Sequence, residues 1–165
     1  MCSAVEFTIE QRLAGGVTAV EAVLLDPSYV AARAELPKLG EPELVELTRD
    51  GDRVRQRVRL RFTAELAPAV TAVVDPDRLT WVDDATWDLP EHRAQHVIVP
   101  DHYADRLQCT YSEVLTADAA GTRRVMTGTV RVRMMLVGGK VEGAIVSGLR
   151  EYATAETALL DRLIG

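Results

Sequence analysis

Four polar side chains are spaced so that chemistry could take place at one point in the fold. Asp83, His96 and Tyr111 fall at inward-facing positions of three predicted strands, and Tyr152 lies on a predicted helix that could bring it alongside them. A carboxylate, an imidazole and phenols can orient a bound ligand or move protons. Their spacing matches no known catalytic motif, so they also fit a set of buried polar groups that satisfy one another or trapped water.

A second set of inward-facing residues is apolar and could line a cavity for a ligand. Aromatic rings and thioethers suit flat or flexible apolar ligands, and small residues such as Gly143 and Gly148 on the C-terminal helix leave space beside them. A protein core needs the same residues, so close packing remains open as well. The candidate ligand-contacting residues are Gln56, Phe62, Trp81, Asp83, Trp87, His96, Tyr111, Met126, Met134 and Tyr152.

Other kinds of site find little support in the sequence. Ser147 lies on a predicted helix with no base near it in the chain, and Cys109 has no evident histidine partner. His92 and His102 lie near turns, and no spacing of ligands is typical of zinc. Cys2 and Cys109 are predicted to be unpaired thiols, the latter in the core. We therefore expect no metal and no cofactor.

The strand at 53–61 indicates which side of the sheet faces solvent. Arginine stands at every second position, and the residues between are mostly apolar, so the strand has one charged and one apolar face. Pairing through a two-residue turn at Asp50-Gly51 would put Glu46 opposite Arg55, and Asp84 could flank the other side. We expect a solvated, partly neutralised outer wall, with an interaction module for an acidic partner as the alternative.

Six further strands are predicted around the arginine strand. Val5 to Leu13 alternates apolar and polar residues in the same way. A turn at Pro90-Glu91 is predicted to place Ala85 opposite His96. The seven predicted strands cover residues 5–13, 43–49, 53–62, 79–89, 92–99, 105–116 and 122–136.

Helices are predicted after the first strand and at the end of the chain. Two short helices follow Gly15-Gly16, the first with Thr18 as its candidate N-cap. Gly138-Gly139 lacks the pattern of a nucleotide-binding loop and is interpreted as a turn before a helix over 140–164. A bent antiparallel sheet must bury its inner face, and this helix is the only predicted element long enough. The sequence therefore predicts an α+β fold.

Length and composition predict one domain spanning residues 1–165. The chain is 47% hydrophobic and 27% charged, as is typical of globular proteins. A formal net charge of -6 argues against a general nucleic-acid or anionic-membrane binder. No secretory signal or membrane span is recognisable, which predicts a cytoplasmic protein. The scarcity of lysine beside arginine, alanine and valine suggests a GC-rich bacterial genome.

Four segments also carry a family resemblance: VRQRVRLRF at 54–62, AVTAVVDPDRLTWV at 69–82, IVPDHYADRLQC at 98–109 and LVGGKVEGAIVSGLREYATA at 136–155. With these segments the chain resembles the START-like superfamily, also called SRPBCC or helix-grip proteins. It is most similar to the actinobacterial family called domain of unknown function 2505. The resemblance implies a seven-stranded antiparallel sheet curved around a long C-terminal helix, and a superfamily habit of holding apolar ligands between them. It supplies no catalytic residue.

Three functional hypotheses follow. The first is a binding protein for an apolar or amphipathic small molecule, such as a lipid or a polyketide-like compound. The second is an enzyme of the cyclase or hydratase type that uses Asp83, His96 or Tyr111 as acid or base. These two differ in whether the three side chains converge within hydrogen-bond reach at one end of an open cavity. The third is an interaction module built on the arginine strand.

Overall fold

Antiparallel pairing joins seven strands into one sheet in the computed structural model, which describes residues 4–165. The predicted α+β helix-grip architecture is confirmed, whereas Cys2 lies outside the described residues. The strand order is β1-β7-β6-β5-β4-β3-β2, so β1 and β2 are the two edges. The strands are β1 Val5–Leu13, β2 Glu43–Asp50, β3 Arg53–Arg61, β4 Thr80–Asp88, β5 Arg93–Pro100, β6 Leu107–Asp118 and β7 Gly121–Val132.

Four α-helices accompany the sheet: α1 Val17–Leu24, α2 Pro27–Ala32, α3 Pro68–Thr71 and α4 Gly138–Ile164. The predicted cap at Thr18 is wrong, because α1 begins after Gly16 and has no side-chain cap. The predicted turn at Gly138-Gly139 is also wrong, since these residues form the start of α4. Gly138 lies so close to the end of β7 that an added Cβ would be 2.8 Å from the Val132 carbonyl oxygen.

The hairpin of β2 and β3 differs in register from the prediction. Its loop is Gly51-Asp52, with Gly51 at φ 59°, a conformation that glycine adopts without steric cost. Glu46 therefore pairs with Arg57 instead of Arg55. The change moves β3 by two residues along β2, so the side chains from Glu46 to Arg49 keep their predicted faces. An irregularity between Leu44 and Glu46 then exchanges the faces at the start of β2, where Leu44 pairs with Val58 and Glu43 with Arg59. In the hairpin of β4 and β5, Ala85 pairs with His96 as predicted.

The outward arginines of β3 are paired, as the charge pattern predicts. Each of the five has a carboxylate oxygen within 4.0 Å, and the shortest of these distances is 2.8 Å, from Arg55 to Asp84. Arg57 lies between Asp84 and Glu46, so a carboxylate flanks it on each side. These pairs are largely exposed, so each adds little to the stability of the fold, but together they neutralise the stripe.

The concave face of the sheet is covered unevenly. Helix α4 packs mainly against β1 and β7, and α1 and α2 fill one end beside its C-terminal half. At that end a closed core surrounds Trp87, Leu13, Val20 and Leu160, each at most 2% exposed. None of the helices within residues 4–165 is both long and apolar enough to cross a membrane.

Candidate functional site

Asp83, His96 and Tyr111 converge on the concave face, as their inward positions predict. Neighbouring positions on β4, β5 and β6 bring the three side chains together. His96 Nδ1 lies 2.7 Å from Asp83 Oδ1, and the Tyr111 hydroxyl donates to Asp83 Oδ2 at 2.7 Å. The imidazole also stacks on the Tyr111 ring at a centroid distance of 4.1 Å. The result is a fixed imidazole–carboxylate–phenol group.

The other half of this network is not predicted from the sequence and extends to β1, β7 and two helices. His96 Nε2 lies 2.6 Å from Glu113 Oε1, and the second oxygen of Glu113 accepts from Arg124 Nε. Arg124 Nη1 donates to Gln11 Oε1 and to Glu156 Oε1, both at 2.8 Å. The residues missed are Gln11, Tyr29, Arg33, Glu113, Arg124 and Glu156.

Strand alternation contained a signal for three of the missed residues. Gln11, Glu113 and Arg124 stand at the same parity as the apolar inward residues of their own strands, and all are at most 5% exposed. A charged residue at an inward position requires a partner, because an unpaired buried charge is very costly. Glu156, by contrast, needs the rotation of α4 against β1 and β7 to be known.

The charges of this network hold His96 in its protonated form. Burial disfavours the imidazolium, but the carboxylates of Asp83 and Glu113 outweigh burial and raise the pKa of His96 to about 9. Burial likewise opposes ionisation of Glu113, yet Arg124 and His96 lower its pKa to about 2. At neutral pH both ring nitrogens of His96 therefore carry hydrogens that point at carboxylates. His96 has no lone pair with which to act as a general base.

Tyr152 lies apart from this group and contacts Arg33 instead. Its hydroxyl accepts a hydrogen bond from Arg33 Nε at 2.8 Å. The Arg33 guanidinium carbon is 5.8 Å from the ring centroid of Tyr152 and also 5.8 Å from that of Tyr29. Tyr29 connects the two groups, because its hydroxyl donates to Glu156. Three of the four predicted polar residues thus form a triad, whereas the fourth, Tyr152, pairs with Arg33.

Two of the candidate ligand-contacting residues prove to be structural. Trp87 is 1% exposed and enclosed by the closed core, and Gln56 is 8% exposed and donates to the Leu24 carbonyl at the end of α1. Neither side chain adjoins open space, so their assignment to a ligand site is corrected. Both side chains face inward, as strand alternation predicts, but alternation does not show which inward positions a helix covers.

The remaining apolar candidates lie where the concave face is incompletely covered. Inward side chains of a sheet packed on a helix are normally enclosed, whereas here a set of them on β4 to β7 is only half-buried. This set of half-buried side chains, together with two from α4, is called the groove below. Phe62 and Met134 are also half-buried. The groove residues are Trp81, Ile98, Cys109, Tyr111 and Met126 from the sheet and Leu149 and Tyr152 from α4.

Cys109 contributes an apolar surface to the groove rather than a nucleophile. Burial, and then the charge of Asp83, raise the pKa of its thiol to about 12. The thiolate, which is the reactive form, is therefore scarce at neutral pH.

Two depressions of the described surface lie elsewhere. One, of about 450 Å³, lies on the surface between the edge strand β1 and α4. Its lining includes the charged residues Glu10, Arg12 and Arg150. The other, of about 210 Å³, lies between the β2–β3 hairpin and Leu25. Neither contains the Asp83 triad, so the groove remains the place where polar and apolar candidates meet.

Comparisons with known proteins agree with this fold. The family model described as "Protein of unknown function (DUF2505)" matches residues 8–164. No curated protein matches the sequence. Among solved structures, TTHA0849 from Thermus thermophilus has 18% sequence identity and a TM-score of 0.69, and the match covers 97% of each chain.

Two further structures belong to proteins named as enzymes. The Zhui aromatase/cyclase from Streptomyces sp. R1128 matches with 18% identity and a TM-score of 0.55, over 99% of this chain and 91% of that one. Norcoclaurine synthase from Thalictrum flavum matches with 14% identity and a TM-score of 0.60, over 96% of this chain and 87% of that one. At such identities the likeness extends to the fold alone.

Proposed function

This chain belongs to the family described as protein of unknown function DUF2505, and we propose that it binds an apolar or amphipathic small molecule in the groove between the sheet and α4. A lipid or a polyketide-like compound is the class of ligand that fits best. The observation that carries the proposal is the set of inward apolar side chains that the fold leaves half-buried. Covering them with a ligand is favourable by ~25 cal/mol per Å² of apolar surface.

The polar residues beside the groove support binding more than chemistry. Ligand sites are typically apolar surfaces with a few polar groups that fix orientation. Tyr111 is half-buried and lies against the groove, whereas Asp83 and His96 behind it are 8% and 6% exposed. Asp83 accepts from two donors, and both nitrogens of His96 face carboxylates. This network therefore holds the Tyr111 ring in place as one wall of the site.

A direct test is native mass spectrometry and solvent extraction of protein purified from its own host. A recurrent apolar compound bound to the protein is the expected result. Replacing Cys109 by Phe fills the groove and should abolish the bound compound. Val97→Phe is the matched control, because Val97 is 44% exposed on the outer face of the adjacent strand and should leave the compound bound. Repeated absence of any compound from the wild-type protein would refute the proposal.

A second candidate is an enzyme of the cyclase or hydratase type. The observation in its favour is that Asp83, His96 and Tyr111 do converge within hydrogen-bond reach beside the groove. Against it, the His96 imidazolium is not a base, and burial together with Asp83 raises the pKa of Tyr111, which makes the phenol a weaker acid. If the compound extracted from Tyr111→Phe protein differs chemically from the wild-type compound, catalysis is supported. An unchanged compound supports binding alone.

A further inference from the structure

Arg33 is a half-buried arginine whose two terminal nitrogens, the fork of its guanidinium, have no partner among the described residues. It lies in the single helical turn after α2, beside the rings of Tyr29 and Tyr152. Its Nε donates to the Tyr152 hydroxyl at 2.8 Å. Within residues 4–165 its terminal Nη1 and Nη2 groups make no hydrogen bond, and no carboxylate oxygen comes within 4.0 Å of it. Arginine is the side chain best shaped to hold a carboxylate through two parallel bonds.

The nearby carboxylates do not need Arg33 for hydrogen bonding. Both oxygens of Asp83 already accept, from His96 and from Tyr111. Both oxygens of Glu156 also accept, one from Gln11 and Arg124 and the other from Tyr29. Arg124, the other buried arginine of this region, makes three hydrogen bonds. The carboxylates of Asp83 and Glu156 are thus satisfied by other donors, and the terminal nitrogens of Arg33 stay unused.

The count of charges indicates which anion would fit. Asp83, Glu113 and Glu156 contribute three negative charges, His96 and Arg124 two positive ones, and Arg33 brings the total to zero. One added negative charge leaves the region at -1, whereas a phosphate dianion would leave it at -2 in a partly desolvated place. A singly charged carboxylate is therefore favoured. The Tyr152 hydroxyl accepts from Arg33 and keeps its own hydrogen, so it can donate to the same anion.

We propose that Arg33 and Tyr152 form the head-group subsite for the carboxylate of an amphipathic acid, whose apolar body lies along the groove past Tyr111 and Cys109. This rests on the proposed function and deepens it, because it names the ligand class as a monocarboxylic acid with a hydrophobic body. Arg33 supplies a bidentate fork and Tyr152 a third donor. The rings of Tyr29 and Tyr152 each lie with their centroid 5.8 Å from the guanidinium carbon and offer cation–π contacts to it.

The test compares dodecanoate with 1-dodecanol by isothermal titration calorimetry at pH 8, below the aggregation concentration of each. The two probes share a chain and differ in head-group charge. We expect the wild-type protein to bind dodecanoate at least about tenfold more tightly, the effect of losing one hydrogen bond to a charged group. Arg33→Gln should remove that preference, because it should lower the affinity for dodecanoate far more than the affinity for dodecanol. Arg33→Lys should retain part of it, because lysine offers a point charge without the fork.

Controls separate the subsite from the groove. Arg93→Gln changes an exposed arginine of the outer face and should leave both affinities as in the wild type. Thermal unfolding of each variant shows whether it folds. Equal binding of the two probes by the wild-type protein, or equal losses for both in Arg33→Gln, overturns the subsite while the groove stands. Dodecanoate binding that depends on Arg33 without any dodecanol binding overturns the apolar groove instead. Binding of neither probe overturns both.

Discussion

The protonated His96 makes the stability of the fold depend on alkaline pH. Its two ring nitrogens lie 2.7 and 2.6 Å from buried carboxylate oxygens of Asp83 and Glu113. The pKa of His96 rises from 6.5 in the unfolded chain to about 9 in the fold. A raised pKa means that the folded state holds the proton more tightly. The stabilisation is therefore complete below pH 6.5 and is lost as the pH rises through about 9.

The size of the effect follows from the linkage between protonation and folding. Each pKa unit corresponds to ~1.4 kcal/mol, so a rise from 6.5 to about 9 predicts a loss of about 3 kcal/mol between pH 6.5 and 9.5. For a domain of this size this lowers the melting temperature by roughly 6–12 °C. Glu113, with a pKa lowered to about 2, does not titrate in that window. The Cys109 thiol, with a pKa raised from 9.0 to about 12, adds a smaller loss in the same direction, because only the unfolded thiol begins to deprotonate as the pH approaches 9.5.

The assay is urea unfolding followed by tryptophan fluorescence at pH 6.5 and 9.5. His96→Gln should abolish most of the pH dependence, besides lowering stability at both values, because it leaves two buried carboxylates without their cation. His102→Gln, at an exposed histidine, is the matched control and should preserve the wild-type profile. Imidazole resonances of the wild-type protein give an independent reading. A free energy of unfolding that stays level or rises toward pH 9.5 would refute the reasoning, as would a His96 titration near 6.5.

Four further variants test the packing of the sheet and of α4, the closed core and the outer face. Gly128→Ala should destabilise the protein by more than ~1 kcal/mol in urea unfolding, because the new Cβ would clash with the backbone oxygen of Thr110 in β6. Gly143→Ala meets open space on α4 and should stabilise the protein by ~0.5–1 kcal/mol. Trp87→Ala should cost ~3–5 kcal/mol through loss of packing, and a loss below ~1 kcal/mol would contradict its place in the closed core. Replacing both Arg57 and Arg59 by Glu should leave the domain folded in circular dichroism and the native-mass ligand complex intact; loss of a protein partner with folding retained would favour the interaction module instead.

Strand periodicity alone was enough to place Asp83, His96 and Tyr111 on one face. Because side chains alternate along a strand, the inward parity of each strand could be read without knowing its neighbours, and one correct hairpin turn fixed Ala85 against His96. The β2–β3 hairpin shows where this fails. Its turn could be shifted by one residue along each strand without exchanging the faces, so alternation could not distinguish Arg55 from Arg57 as the partner of Glu46.

By itself the sequence determined the α+β class, the faces of the strands and the pairing of the outer arginines with carboxylates, because all three follow from short-range periodicity and local charge. Tertiary structure alone decided which inward residues are enclosed and which adjoin the groove. Trp81 and Trp87 share a strand and a face, yet one is half-buried and the other fully enclosed. Their difference depends on where α1 and α4 lie across the sheet, which is set by long-range packing. The same packing brings Arg33 to Tyr152, 119 residues away in the chain.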